Sequence, residues 1–113
     1  MPATDVFTWS DRPAVEANGA ERREIPGDGA SLKRIAIKAG TTAARHSHPH
    51  EQFLLVLEGT ARLQGEAGLC ELHPGMVVRF APDAWHAAEF LTDTVLIEVN
   101  LNPPAAPSAQ GAP

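Results

Sequence analysis

The sequence predicts an all-β domain, built as a sandwich or barrel of short strands. After residue 30, short apolar runs alternate with turns rich in glycine and proline, at intervals of roughly ten residues. No stretch of useful length has the apolar spacing of an amphipathic helix. The longest apolar run, 53–57, reads as one strand buried on both faces, and Glu58-Gly59 ends it with a turn.

Composition is that of a single soluble domain. The chain has 113 residues, of which 43% are hydrophobic and 20% charged. A net charge of −5 without a basic cluster argues against a nucleic-acid partner. No apolar run approaches the roughly 20 residues that span a bilayer, and no secretory signal is visible, so we expect a cytoplasmic protein without a membrane partner. The single cysteine, Cys70, excludes an internal disulfide and is expected to be at least half-buried in a strand.

Three segments are expected along the chain. Residues 1–24 form a polar N-terminal extension, in which Phe7 and Trp9 share one face of an extended segment that could pack as a strand on the barrel or on a partner subunit. Residues 25–102 form the β domain. Residues 103–113 lack large apolar side chains and are expected to be a disordered tail, because they cannot offset their ordering entropy.

The strands of the β domain follow from alternation and turn chemistry. In the first, Ile35 and Ile37 alternate with charged neighbours, which is typical of a half-buried strand. In the last, Leu96, Glu98 and Asn100 share one face. The predicted strands are 32–38, 53–57, 60–64, 69–72, 76–80, 85–90 and 94–100.

A histidine cluster precedes the apolar strand. His46 and His48 are two residues apart, a spacing that puts both imidazoles on one face of an extended chain. Facing neutral imidazoles suit Zn, Cu, Fe and Ni, and His86 on a later strand is a third candidate. Gln52 could offer an amide oxygen to the same metal or only hydrogen-bond inside the barrel.

For other residues near the cluster, the sequence gives weaker evidence of a place in the metal site. Pro49 breaks the alternation, so the spacing leaves open whether His50 and Glu51 point toward the cluster or away from it. His73 precedes a Pro-Gly turn and is expected to be an exposed loop residue. Trp85 adjoins His86 and is expected on the opposite face of its strand, in outer packing.

The spacing of these residues resembles that of the cupins. Their first motif runs from a glycine through His-x-His and a glutamate to a second glycine, and Gly40, His46, His48 and Gly59 fall in register with it. Gln52 stands where glutamate is usual. Gly75 and His86 match the second motif, in which Pro82 stands one place late, Asp83 replaces a glycine and Phe90 takes the place of an asparagine. The resemblance to a small single-domain cupin covers roughly residues 30–101.

That resemblance implies a jelly-roll β-barrel and a homodimer that acts on a small molecule. It also implies one divalent metal ion (Mn, Fe, Ni, Co or Zn) held by His46, His48, Gln52 and His86. The motif His-x-His-Pro-x-Glu-Gln followed by Val-Leu-Glu-Gly is similar to that of the pectin-degradation cupins, which open the rings of unsaturated uronates. In that group the last strand carries an acid, a position that Glu98 occupies here.

The ligand set has a chemical consequence. Neutral ligands leave the ion its full +2 charge, which favours Lewis-acid stabilisation of an enolate. We therefore expect an isomerase or lyase that acts on a small oxygenated anionic metabolite, with Glu98 as the proton shuttle. Arg45, Asn100 and Phe90 are the expected substrate-binding residues, although Arg45 could equally lie on the rim and Glu98 face solvent. A metal-dependent dioxygenase and a non-catalytic binding protein are the alternatives.

Overall fold

The computed structural model describes residues 3–102, so the predicted tail at 103–113 lies outside the described residues. These residues form ten strands and one short 3-10 helix, Trp9–Asp11. The strands are β1 (Val15–Ala17), β2 (Ala20–Ile25), β3 (Ala30–Ile37), β4 (Thr42–His46), β5 (Gln52–Glu58), β6 (Ala61–Gly65), β7 (Gly68–Leu72), β8 (Val77–Phe80), β9 (His86–Phe90) and β10 (Thr94–Leu101).

Two antiparallel sheets make up the domain. The larger has the order β1-β2-β3-β10-β5-β8, and the smaller has the order β4-β9-β6-β7. Consecutive strands β5 and β6 lie in different sheets, as do β3 and β4, so the chain crosses repeatedly between the two layers. The result is a jelly-roll β-sandwich, and the predicted all-β fold class is confirmed.

The hydrophobic core lies between the two sheets. Burying each of its larger aliphatic side chains contributes about 1.5–3 kcal/mol. The buried apolar residues are Ala20, Ile35, Ile37, Leu54, Val56, Ala61, Leu72, Phe80, Phe90 and Leu96.

The central strand β5 is buried on one face only, which corrects the prediction for 53–57. Leu54 and Val56 point into the core, whereas Phe53 and Leu55 are half-buried on the outer face of the larger sheet and Leu57 is 48% exposed. An unbroken apolar run resembles a strand covered on both sides, because sequence alone does not show whether a second layer covers the outer face.

Strands β1 and β2 were not apparent from the sequence. They form a hairpin through Asn18-Gly19, both at positive φ (51° and 76°), as a tight two-residue turn requires. β2 then pairs with β3 along its whole length, so this part of the N-terminal segment belongs to the larger sheet. Arg22, opposite the buried Ile35, is an inward position of β2 that carries a charge, and this charge hides the apolar alternation that marks a strand.

Two further observations concern the surface. Phe7 and Trp9 do not lie in a strand: Trp9 begins the 3-10 helix, and the Arg23 guanidinium donates to the carbonyl oxygens of Trp9, at 3.3 Å, and Arg12, at 2.7 Å. Cys70 is exposed on the edge strand β7, so the expectation that it is at least half-buried is wrong. Within residues 3–102 there is no helix long and apolar enough to cross a membrane.

Candidate metal centre

Three histidines converge at one end of the smaller sheet. His46 ends β4, His86 begins β9, and the two are direct partners across the ladder. His48 lies two residues beyond the end of β4. Each offers one ring nitrogen, and these nitrogens all lie within 4.8 Å of one another. The ring centroids of His46 and His86 are 4.2 Å apart, and those of His46 and His48 are 5.2 Å apart. This arrangement could hold one metal ion.

Backbone carbonyls fix the tautomer of two of these rings. Nδ1 of His46 lies 2.7 Å from the carbonyl oxygen of Ala44, and Nδ1 of His86 lies 3.3 Å from that of Ala84. A carbonyl oxygen can only accept, so each Nδ1 carries the proton and each Nε2 keeps its lone pair. Histidines that bind metals are usually oriented in this way, so these residues fit a metal ion.

The charge state of the cluster also suits a metal. Burial lowers the pKa of His48 below its ordinary value of 6.5, and the neighbouring rings of His46 and His50 lower it further. Burial likewise lowers the pKa of His86, with a second contribution from His46. The two imidazoles are therefore neutral at neutral pH, which is the form that binds metal ions.

Gln52 lies beside the histidines on the opposite sheet. It is the first residue of β5 and is 3% exposed. Its amide nitrogen donates to Oδ1 of Asn100 at 2.8 Å, across the β5–β10 ladder. Nε2 of His50 lies 3.1 Å from the same oxygen, so His50 belongs to this hydrogen-bond network. The amide oxygen of Gln52 remains as its possible ligand atom.

A cavity of about 410 Å³ opens between the two sheets at this point. His46, Gln52 and His86 line it together with Glu98 and Phe90. Glu98 is thus on the cavity side of β10, and its Oε1 accepts a hydrogen bond from Nδ2 of Asn100 at 3.1 Å. A more open groove of about 570 Å³ lies elsewhere on the larger sheet, and none of the histidines lines it.

Arg45 is not among the residues that line the histidine cavity. Its guanidinium lies over the Trp85 ring at 4.1 Å from the ring centroid. Successive side chains of a strand point to opposite faces, and both residues precede an inward-facing histidine. They therefore meet on the outer face, as expected for Trp85.

Arg22 is a cavity residue that the sequence did not reveal. It lies on β2 opposite the buried Ile35 and lines the cavity with Glu98. Among residues 3–102 its side chain has no ion-pair partner. Nothing in the local pattern of β2 identifies it, because only the pairing register with β3 shows which of four consecutive charged residues points inward.

The remaining candidates lie outside the cluster. The Glu51 carboxylate pairs with Nε of Arg79. His73 is exposed in the turn after β7, as expected, and its Nε2 lies 2.9 Å from the Glu71 carboxylate.

Comparisons with known proteins agree with this architecture. Residues 33–100 match the family described as Cupin domain. An (R)-mandelonitrile lyase from Granulicella tundricola is 40% identical over 57 residues, which make up 48% of this chain and 44% of the lyase. The chain thus spans less than half the length of this relative.

Solved structures share the fold at low sequence identity. KdgF from Halomonas sp. superposes with a TM-score of 0.79 at 19% identity, over 86% of this chain and 94% of that one. An ectoine synthase from P. lautus gives a TM-score of 0.79 at 18% identity, over 87% and 78% of the two chains. The resemblance inferred from the glycine and histidine spacing is confirmed. Since the family match covers more than half of its residues, the chain belongs to the cupin family.

Proposed function

We propose that this cupin is a metal-dependent isomerase or lyase that acts on a small oxygenated anion. The observation that carries the proposal is the convergence of three imidazoles whose nitrogens lie within 4.8 Å of one another, two of which, His46 and His86, line a cavity that also contains the Glu98 carboxylate. A site that served only to stabilise the fold would be closed and is usually rich in cysteine. Here three of the candidate ligands, His46, Gln52 and His86, border a cavity of about 410 Å³, which leaves room for a substrate.

The proposed ligands are His46, His48, His86 and the amide oxygen of Gln52. All four are neutral, so a divalent ion (Mn, Fe, Ni, Co or Zn) would keep its full charge. When bound, such an ion supplies Lewis-acid stabilisation of a developing oxyanion or enolate. The protein holds the histidines in the required tautomer through the carbonyls of Ala44 and Ala84.

Glu98 is the proposed proton shuttle. It is the carboxylate among the residues that line the cavity, and one of its oxygens is held by Asn100 at 3.1 Å. The other oxygen is the atom that would take a proton from the substrate and return it. General acid–base catalysis of this kind contributes typically about 10²–10⁴-fold to a rate.

The remaining cavity residues suggest how the substrate is held. Arg22 lines the cavity, and its guanidinium would favour a carboxylate or other planar anion. We propose that Arg22 takes the role that the sequence suggested for Arg45. Phe90, buried at the cavity wall, would contact the apolar part of a substrate. We also propose that the protein acts on this small molecule in the cytoplasm.

The curated relative favours the lyase class. The protein that is 40% identical over part of this chain is named (R)-mandelonitrile lyase, which indicates that lyase activity occurs in a related sequence. A dioxygenase would differ in consuming O₂, and a binding protein would retain the metal without turnover.

The proposal is tested first by elemental analysis of the purified protein. We expect about one divalent ion per chain, and its loss in His48→Ala and His86→Ala. His73→Ala is the matched control, because it removes a histidine that lies outside the cluster. The metal-loaded protein is then assayed with small hydroxy, keto and cyano acids, with and without O₂. A native chain that binds no metal when it is supplied, or a His48→Ala variant with full occupancy, would contradict the proposal.

A further inference from the structure

We infer that Asn100 is a positioning residue that determines which atom of Gln52 faces the metal. The geometry points to a hydrogen-bond relay that runs from the Glu98 carboxylate through Asn100 to Gln52. The inference rests on the proposed function, because it takes the Gln52 oxygen as a ligand. It replaces the expected substrate-binding role of Asn100 with an indirect one.

The contacts of the relay are short and largely shielded from water. Asn100 is 8% exposed and Gln52 is 3% exposed. Nδ2 of Asn100 lies 3.1 Å from Oε1 of Glu98, and Oδ1 of Asn100 lies 2.8 Å from Nε2 of Gln52. Glu98 and Asn100 are neighbours on one face of β10, and Asn100 is the cross-strand partner of Gln52. The backbone register therefore brings the three side chains into one line.

Glu98 sets the direction of the relay. An ionised carboxylate has only acceptor atoms, whereas an amide has a donor end and an acceptor end. The end of Asn100 that faces Glu98 must therefore be its NH₂ group. If Asn100 were reversed, its oxygen would face the carboxylate, and two acceptors would meet without a proton between them.

The same logic carries over to Gln52. With its NH₂ group turned to Glu98, Asn100 presents its oxygen to Gln52, so Gln52 must turn its own NH₂ group to Asn100. His50 reinforces this orientation, because its Nε2 lies 3.1 Å from the same oxygen and can donate to it. The Gln52 oxygen is then left on the side away from Asn100.

This orientation has a consequence for metal binding. An amide binds a hard or borderline cation through its oxygen, because its nitrogen is a donor group without an available lone pair. Without Asn100, a buried Gln52 would have no fixed partner and could present its NH₂ group to the site. Removing groups that orient ligands typically costs about 10–100-fold in metal affinity.

The test is a double-mutant cycle read by zinc affinity, measured by competition with a chromophoric chelator. Asn100→Leu should weaken zinc binding by about 10–100-fold. If Asn100 acts through Gln52, the double variant Gln52→Ala/Asn100→Leu should have the same dissociation constant as Gln52→Ala alone. Asn102→Ala is the matched control, because Asn102 lies two residues further on and donates to the carbonyls of Gly27 and Asp28, away from the site. We expect it to bind zinc as the native chain does.

Two outcomes of the cycle would overturn the inference. One is an Asn100→Leu variant that binds zinc as tightly as the native chain. The other is a double variant whose fold-loss in zinc affinity equals the product of the fold-losses of the two single variants. A native chain that binds no zinc would overturn the proposed function and this inference together. Normal zinc binding by the native chain together with an unaffected Asn100→Leu variant would overturn this inference alone.

A measurement on the native chain covers the case in which Asn100→Leu does not fold. In the zinc-loaded protein, the side-chain NH₂ protons of Gln52 should exchange with water at least about tenfold more slowly than those of the exposed Gln64, because they remain bonded to Asn100. The Gln52 signal is assigned by its absence in Gln52→Ala. Equal exchange rates at Gln52 and Gln64 would mean that no such bond holds the amide.

Discussion

Glu98 allows chemistry to be separated from metal binding at a single residue. In Glu98→Gln the new amide oxygen can still accept from Nδ2 of Asn100, and Nε2 of His50 can still donate to Oδ1 of Asn100. His50 then keeps the direction of the relay, so the metal should be retained. The variant can no longer take up a proton, so turnover of the substrate found by screening should fall by about 10²–10⁴-fold. Metal content and kcat are measured on the same preparation.

The control for this experiment is Glu89→Gln. Glu89 is an exposed glutamate on β9 of the smaller sheet, and its carboxylate pairs with Arg62 on the surface. We expect its metal content and its kcat to match those of the native chain. An unchanged kcat in Glu98→Gln would move the proton shuttle to another group.

For individual site residues, the sequence predicts some positions well and misses others for a physical reason. His46 and His48 could be paired because neighbours on one chain share a face by simple alternation. Arg45 was expected near the substrate from its position beside His46, yet the same alternation directs it outward, onto Trp85. Arg22 reaches the cavity from a distant strand, and its inward orientation depends on the register with β3.

The turn between β5 and β6 requires a glycine at position 59, the second glycine of the first cupin motif. Gly59 has φ 91°, and a Cβ atom there would overlap the carbonyl oxygen of Asp93 and lie 2.6 Å from Cα of Thr94. We expect Gly59→Ala to lower the free energy of unfolding by roughly 2–4 kcal/mol, because left-handed backbone costs about 1–2 kcal/mol and the overlap adds to it. Denaturant unfolding of the metal-free chain measures the change.

Gly68 supplies the comparison for that turn. Its φ is 107°, and a Cβ atom at this position would have no neighbouring heavy atom within 4 Å. Gly68→Ala should therefore cost only the backbone term, about 1–2 kcal/mol. If both variants lose the same free energy of unfolding, the contact with residues 93–94 is not the reason that position 59 requires glycine.

Strands in which apolar and polar residues clearly alternate could be predicted from the sequence, and strands without this alternation could not. The predicted strands at 60–64, 69–72, 76–80 and 94–100 each correspond to an observed strand within a few residues. β2 was missed because four of its six residues are charged, including the inward-facing Arg22, and β1 because it has three residues, all of them exposed. The pairing of both with the larger sheet depends on tertiary contacts, which override local pattern.

For the whole molecule, the outer face of the larger sheet is the feature that the fold leaves unexplained. Leu55 is opposite Val77 on one side and Ile97 on the other, so these side chains form one apolar row across three strands. Val77 is 62% exposed, and Leu57 on the same strand as Leu55 is 48% exposed. Contiguous apolar surface of this kind marks interaction sites, and it supports the expectation of a homodimer.

The dimer is tested by sedimentation of the native chain and of two matched variants. Val77→Glu places a charge on the larger sheet, where an unpaired buried charge costs about 3 kcal/mol, so we expect the dimer dissociation constant to rise by at least about tenfold. Leu69→Glu changes a similarly exposed residue, 70% exposed against 62% for Val77, on the smaller sheet and should leave the dimer intact. A native chain that sediments as a monomer would contradict the homodimer. A dimer weakened by Leu69→Glu and not by Val77→Glu would place the dimer contact on the smaller sheet. The apolar row at Leu55 would then not be covered by the second subunit.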